Sequence, residues 1–495
     1  YIQNLDKDYN NNFLREWRVD GNEDFTIEMR VKQLAGPTDY GLGVLYGYFT
    51  WDDYARVLIA GTGHISAKKR IKEESTTVLK WQKDTLGNIK GLNAWNVLKI
   101  EKKDSGTKLY VNGVFQKKIP NMEFVGYKLG FILYPEQRAM VDWIKVTRKK
   151  QTLDIAKKAT KGKLENLGPN INSKYIEKSP NISADGKTLY FTVSENPDKN
   201  IGANLKSDVA YSKLQDNGEW GPMQLLDAPI NNKYHNYIVS ISPDENSALF
   251  GNVYLESGSM TSGISYGVKR NGQWQTPKKV YVKNYKNINE YSDYWLSPDG
   301  LKLISACEND KSYGEKDLFV SFKLGDGSWS EPENMGPNIN TWAAEFTPFI
   351  AADGITMFFS SYGHEGYGSA DVFMSKRLDD TWTNWSKPKN LGPIINSEAW
   401  DAYFRIDAQG MWGYMVSTGD NSMGEEDIFR IRLGEETKPE KLTLINGHVY
   451  NASTNKEIEA SIEYEDLTST KKLGIAYSTK EGGYKIILTK GKLKI

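Results

Sequence analysis

Carboxylates and aromatic rings recur together in this sequence, and that pairing is the first candidate for chemistry. Glu177, Asp293, Glu345 and Asp401, with Asn236 in the equivalent place, stand within three residues of Tyr175, Tyr234, Tyr291, Trp342 and Trp400. Acids gathered at a channel mouth make a cation or ligand site, and exposed aromatics beside them form a rim for sugar or protein contacts. The same residues have a plain structural use, as hydrogen-bond acceptors and as packing between neighbouring repeats. A second group, Tyr46, Tyr48, Trp51 and Tyr54, offers rings that stack on sugar faces, or that form the ordinary surface and core of a sheet.

Signatures of catalysis are missing. The histidines, His64, His235, His364 and His448, are far apart, and there is no His-Glu-x-x-His, P-loop, Gly-x-Ser-x-Gly or cysteine pair. Glycoside hydrolysis is the serious enzymatic alternative and needs two carboxylates facing one bond across about 5–9.5 Å. Asp52 and Asp53 are adjacent, so in a strand they point to opposite faces. Asp208, Asp317, Asp371 and Asp427 read as turn-fixing residues. The acidic loop Asp420–Asp427, with Glu425 and Glu426, is a weak calcium motif. Cys307 lies in an apolar strand-like run and reads as core. No catalytic residue, metal site or cofactor is expected.

An internal repeat must position these residues. Asp185, Asp244, Asp299, Asp353 and Asp407 recur at intervals of 54 to 59 residues, most of them in Asp-Gly pairs. Trp220, Trp274, Trp329 and Trp385 recur at 54 to 56, each shortly before a proline. A strand led by Asp208, Asp317, Asp371 or Asp427 is the third marker. Each period reads as four short antiparallel strands, the blade of a β-propeller. The last unit stops near Leu433 without its Trp-x-x-Pro strand. Leu164-Glu-Asn-Leu-Gly-Pro-Asn-Ile-Asn-Ser173, just before the first unit, matches Lys389–Ser397 and completes that last blade. A closed five-bladed ring is the reading, with a sixth, degenerate blade as the alternative.

These units resemble the TolB-like propeller family. The fourth matches best, through Glu345-Phe-Thr-Pro348, Asp353-Gly354, Gly368-Ser-Ala-Asp371, Trp385-Ser-Lys-Pro388 and Asn390-Leu-Gly392. The second departs most, with Asp244-Glu-Asn in place of Asp-Gly and no Asp leading its third strand. The resemblance implies a five-bladed propeller over 163–435.

Residues 1–147 alternate with period two, Phe25, Ile27, Met29 and Val31 on one face and Leu109-Tyr-Val-Asn-Gly-Val114 as a hairpin. They resemble a concanavalin A-like jelly-roll sandwich. A basic linker, 148–162, follows. Residues 442–495, with Asn446-Gly-His-Val-Tyr450, Ile458–Tyr464 and Gly482-Gly-Tyr484, look like a carboxypeptidase regulatory-like, transthyretin-like sandwich. The fold class expected is therefore all-β. The start at Tyr1 without Met, and the stop at Ile495 before such a module finishes, read as a piece cut from a longer protein.

Composition agrees with strands joined by tight turns: 44 Gly, and 14 Trp, 29 Tyr and 17 Phe amounting to 12 % of residues. The 63 basic residues equal the 63 acidic ones, which excludes the basic surplus that general nucleic-acid binding needs. One cysteine excludes an intrachain disulfide, and no apolar run is long enough for a transmembrane helix.

Propeller followed by regulatory-like module resembles OmpA-family envelope proteins of Bacteroidota. That resemblance implies a non-catalytic scaffold in the cell envelope, periplasmic or outer-membrane associated, that binds protein partners. It also implies peptidoglycan anchoring through a further OmpA-like domain, and for some members association with type IX secretion and gliding machinery. The alternative is a polysaccharide-binding protein or glycoside hydrolase using the jelly roll or the propeller channel.

Overall fold

Phe25, Ile27, Met29 and Val31 are buried while Thr26, Glu28 and Arg30 between them are not, the period of two that one core imposes on a strand. The computed structural model describes residues 2–3, 11–16, 23–122, 126, 128–148, 153–195, 206–419, 421–440, 443–467, 472–488 and 493–494. Among these the regular structure is all strand, with no α-helix. None of the described residues therefore forms a helix long and apolar enough to cross a membrane. The chain divides into two compact units, Tyr1–Thr152 and Leu153–Ile495.

The first unit is a sandwich of two six-stranded antiparallel sheets. Its strands are β1 (Ile2–Gln3), β2 (Asn11–Glu16), β3 (Phe25–Ala35), β4 (Gly41–Thr50), β5 (Asp53–Ala60) and β6 (His64–Ile71). They continue as β7 (Glu74–Lys83), β8 (Trp95–Lys103), β9 (Gly106–Val111), β10 (Val114–Ile119), β11 (Lys128–Leu133) and β12 (Arg138–Arg148). One sheet runs β1-β12-β3-β8-β9-β10 and the other β2-β11-β4-β5-β6-β7. Between them lies one core, with Ile27, Met29, Leu98 and Ile100 facing Val44, Val57, Ile59 and Phe131. Asn112, in the left-handed region at the expected Asn-Gly turn, also accepts Val97 N–H at 2.8 Å, locking the hairpin to its neighbour.

The second unit holds a ring of five sheets, the blades expected from the repeat. Their innermost strands, Ile176–Ile182, Ile238–Ile241, Asp293–Leu296, Glu345–Ile350 and Asp401–Ile406, each neighbour the next, and the fifth neighbours the first. Closure comes from Thr160–Asn166, which pairs antiparallel with Asp427–Leu433 as the outer strand of the fifth blade. That strand begins inside the stretch read as linker. Ile155, also within that stretch, forms a parallel bridge with Asn390 of the fourth blade.

A repeated clamp ties the outer end of each of four blades. Asn172, Asn231, Asn340 and Asn396 exchange two hydrogen bonds with the backbone of Ile428, Val209, Leu318 and Val372 respectively. Asp317 and Asp427 accept backbone N–H groups from their own turns and the side-chain amides of Asn334 and Asn166. Asp371 accepts Tyr367 N–H at 2.9 Å. These three thus hold turns, as expected.

The fifth turn corrects the sequence alignment. Gly410 N–H donates to Asp407 O as Gly354 N–H donates to Ala351 O. Asp407 therefore occupies the place of Ala351, and Gln409 the place of Asp353. Its carboxylate takes over the role of the Ser183 hydroxyl, accepting the N–H groups of Met411 and Trp412.

The C-terminal module has two small sheets, one pairing Thr443–His448 with Gly483–Leu488 and the other built on Ser461–Asp466. It docks on the hairpin turns of the first three blades. Lys485 Nζ lies 2.8 Å from Asp185 Oδ2, Tyr477 N–H donates to Asp244 Oδ2 at 2.6 Å, and Ile475 N–H to Asp299 O at 3.3 Å. The turn acids of blades one and two thus serve a second purpose that their periodicity does not reveal.

Candidate functional site

The four acids expected at the channel mouth are located first. Glu177, Glu345 and Asp401 are inaccessible to solvent. Each accepts the backbone N–H and the hydroxyl of a residue four positions earlier, respectively Ser173, Thr341 and Ser397. Ser361 and Ser417 add a further hydroxyl to Glu345 and Asp401. Asp293 is ion-paired with Lys316 at 3.1 Å. Asn236 is buried as well, its N–H donated to Ser207 O of the preceding blade. The expected acidic ring is therefore a set of internal braces. Burial raises the Glu177 carboxyl to about 7 and pushes Glu345 well above the ordinary range. No cluster of three or more metal-ligating side chains occurs among the described residues. Asp420 of the calcium motif lies outside them, and Asp427 is occupied with the N–H groups of its turn.

A cation fills the space between the innermost strands. Arg405 is buried, donates to Val239 O at 2.9 Å and to Asn181 Oδ1, and lies 4.7 Å over the Trp295 ring. Burial lowers its guanidinium to about 9. The channel reading of the sequence anticipated acids here, and Arg405 was not among the residues it singled out.

Nor do the aromatics of the rim form one exposed belt. Tyr175, Tyr234, Trp342 and Trp400 are half-buried, and Trp400 stacks on Phe346 at 6.1 Å and donates Nε1–H to the Tyr362 hydroxyl. Tyr291 is exposed. Cys307 is buried, and burial raises its thiol to about 11.

The sandwich divides its aromatic group between two faces. Tyr46 points into the core against Phe25, with ring centroids 6.1 Å apart, so it is no part of a platform. Tyr48, Trp51 and Tyr54 lie on the other side, Trp51 held edge-to-face by Tyr48 at 5.7 Å and by Tyr54 at 6.0 Å. Alternation along β5 brings Tyr54, Arg56 and Leu58 to this outer face. Arg56 sits over the rings of Tyr54 and Tyr134, at 5.7 and 5.5 Å. The base of this face is closely packed. A Cβ on Gly43 would stand 2.2 Å from Val57 O, and one on Gly41 would meet Leu58 and Trp81 at 2.9 Å. Tyr40 stands beside Tyr134 at 6.3 Å.

Arg56, Lys68, Arg70, Tyr134 and Trp81 were missed in the sequence, although their signal was present. Arg56 is two residues from Tyr54, and Lys68 and Arg70 share one face of the next strand. Asp52 and Asp53 point to no shared bond: Asp52 pairs with Arg70 at 2.8 Å, and Asp53 accepts Lys72 N–H at 2.9 Å. The face thus combines exposed rings with cationic donors over a packed apolar base of Leu45, Leu58 and Ile132, a set that suits the apolar faces and hydroxyls of a sugar.

No family model matches the chain, and no curated protein matches it. Solved structures to which it is similar include a carbohydrate-binding module from Bacillus subtilis, at 12 % identity and TM-score 0.22, covering 25 % of this chain and 75 % of that one. Sheep galectin-11 is similar at 11 % identity and TM-score 0.23, over 28 % of this chain and 98 % of that one. The sialidase NanB from Streptococcus pneumoniae is similar at 12 % identity and TM-score 0.26, over 98 % of this chain and 99 % of that one. Scores this low carry no argument about what this chain binds or does.

Proposed function

We propose that this chain is a non-catalytic glycan-binding protein and that the outer face of the β2-β11-β4-β5-β6-β7 sheet holds the glycan. The observation that carries the reading is Trp51, 42 % exposed yet fixed edge-to-face between Tyr48 and Tyr54. An exposed ring already held in one orientation loses little entropy on binding. The sealing of Glu177, Glu345 and Asp401 and the Lys316 pairing of Asp293 support the non-catalytic part. A glycan array probed with the whole chain should give signals that Trp51→Ala removes. Release of shortened products from a bound polysaccharide counts against a purely binding role.

A second reading, an envelope scaffold that docks a protein partner on the ring, draws on a different observation. Ile288, Tyr291 and Tyr313 are each more than half exposed, and Ile288 N–H and Asn289 tie their loop to Glu308. A partner that the unaltered chain retains and Tyr291→Asp releases supports docking there. Equal retention by both removes it.

A further inference from the structure

Arg56 of β5 and Lys68 of β6 are direct cross-strand partners, and Arg70 is partnered with Tyr54 one step along the same two strands. Like charges directly opposite each other destabilise a sheet, and an acid placed between them is the ordinary remedy. Here that remedy reaches only one of the three. Asp52 pairs with Arg70, while neither Arg56 nor Lys68 has an ion-pair partner among the described residues. The Nε–H donors of Arg56 and Arg70 are shut off from solvent with no acceptor. Burial, and then the charges of Arg56 and Arg70, hold the Lys68 ammonium below the ordinary lysine range. Two cations without an ion pair, held side by side at a cost to the sheet and next to an Arg70 that Asp52 neutralises, form a site that favours negative charge.

We infer that the glycan held on this face is acidic, its carboxylate or sulfate group seated on Arg56 and Lys68 while a sugar ring lies on Trp51. Arg56 is well prepared for this. Its guanidinium is steadied by the rings of Tyr54 and Tyr134, so little freedom is lost when the planar fork meets an anion. Asp52, by neutralising Arg70, sets one border of the anionic pocket.

This inference rests on the glycan-binding reading, and its test separates the two. The whole chain is titrated with a neutral glucan, a polyuronate and a sulfated galactan of matched length, at low and at high sodium chloride. Lys68→Gln and Arg56→Gln are measured alongside, with thermal unfolding as the control for folding. Among the described residues the Lys68 side chain makes no hydrogen bond or ion pair, so its replacement leaves the sheet intact. The expected result is binding of one or both acidic polymers at least about tenfold tighter than the neutral one. That preference should collapse in Lys68→Gln and shrink with salt. Which acidic polymer binds distinguishes carboxylate from sulfate. Equal affinity for neutral and acidic polymers, or a preference unaffected by both substitutions, overturns the inference while leaving glycan binding in place. No binding of any polymer overturns both.

Discussion

Lys68 stands directly opposite Arg56 across the β5–β6 pair, two cations where sheet stability favours opposite charges. Replacing Lys68 with Glu supplies the missing pair. Lys68→Glu should therefore stabilise the chain by about 0.5–1 kcal/mol in urea unfolding, while abolishing affinity for acidic glycans. A stability gain with binding lost identifies the like-charge pair as retained for recognition. A variant that is less stable and binds unchanged contradicts that view.

The asparagine clamps carry the ring. Asn396 is buried and exchanges hydrogen bonds of 3.0 and 2.8 Å with Val372 O and N–H. Asn396→Ala leaves Val372 N–H without its acceptor in a dry site, while Val372 O keeps Leu391 N–H at 3.2 Å. The expected loss is about 1–3 kcal/mol, the cost of one unsatisfied buried group, measured by denaturant unfolding. A loss under about 0.5 kcal/mol shows that water or a neighbour replaces the amide.

The buried acids set a pH dependence. Burial raises Glu177 from 4.5 to about 7 and Asp317 from 3.8 to about 6. With its folded pKa above its unfolded one, Glu177 binds a proton more tightly in the folded chain, so the folded state holds more protons than the unfolded one between these values. Its contribution is full below pH 4.5 and is lost as pH rises through about 7. Glu177→Gln should flatten the fall in stability between pH 4.5 and 7 relative to the unaltered chain. Parallel curves for the two proteins over that window contradict the assignment.

Asp244 ties the C-terminal module to the ring through Tyr477 N–H, and Asn246 Nδ2 donates back to Tyr477 O at 3.0 Å. Asp244→Ala should raise amide exchange at Tyr477 by about ten- to a hundredfold, a charged hydrogen bond being worth roughly 1.5–3 kcal/mol. Exchange along Glu345–Ile350 should stay slow. Unchanged exchange at Tyr477 shows that the module is held elsewhere.

What the sequence revealed and what it hid follow from periodicity. The five blades, and the outer strand near Leu164 that closes them, repeat visibly because each unit solves the same packing problem. The acids Glu177, Glu345 and Asp401 repeat for that reason too, and so their recurrence marked bracing rather than binding. The residues of the candidate site do not repeat. Arg56, Lys68 and Tyr134 meet only through strand register, and a bulge between Tyr46 and Thr50 is what separates the buried Tyr46 from Tyr48 and Trp51. Asp407 misled for a related reason: it preserves the charge of the repeat but sits two positions early, in the place of Ala351. Arg405 enters the channel of a single blade, so no repeat announces it.

The central claim, that the outer sandwich face binds glycan, is tested most directly by calorimetric titration of the unaltered chain and of Trp51→Ala with one glycan retained on an array. Trp51 is exposed, so its loss leaves the core in place. The account predicts measurable binding by the unaltered chain and affinity at least about tenfold weaker in Trp51→Ala, the weight of one aromatic contact of roughly 1.4 kcal/mol. Equal affinity in the two proteins contradicts it.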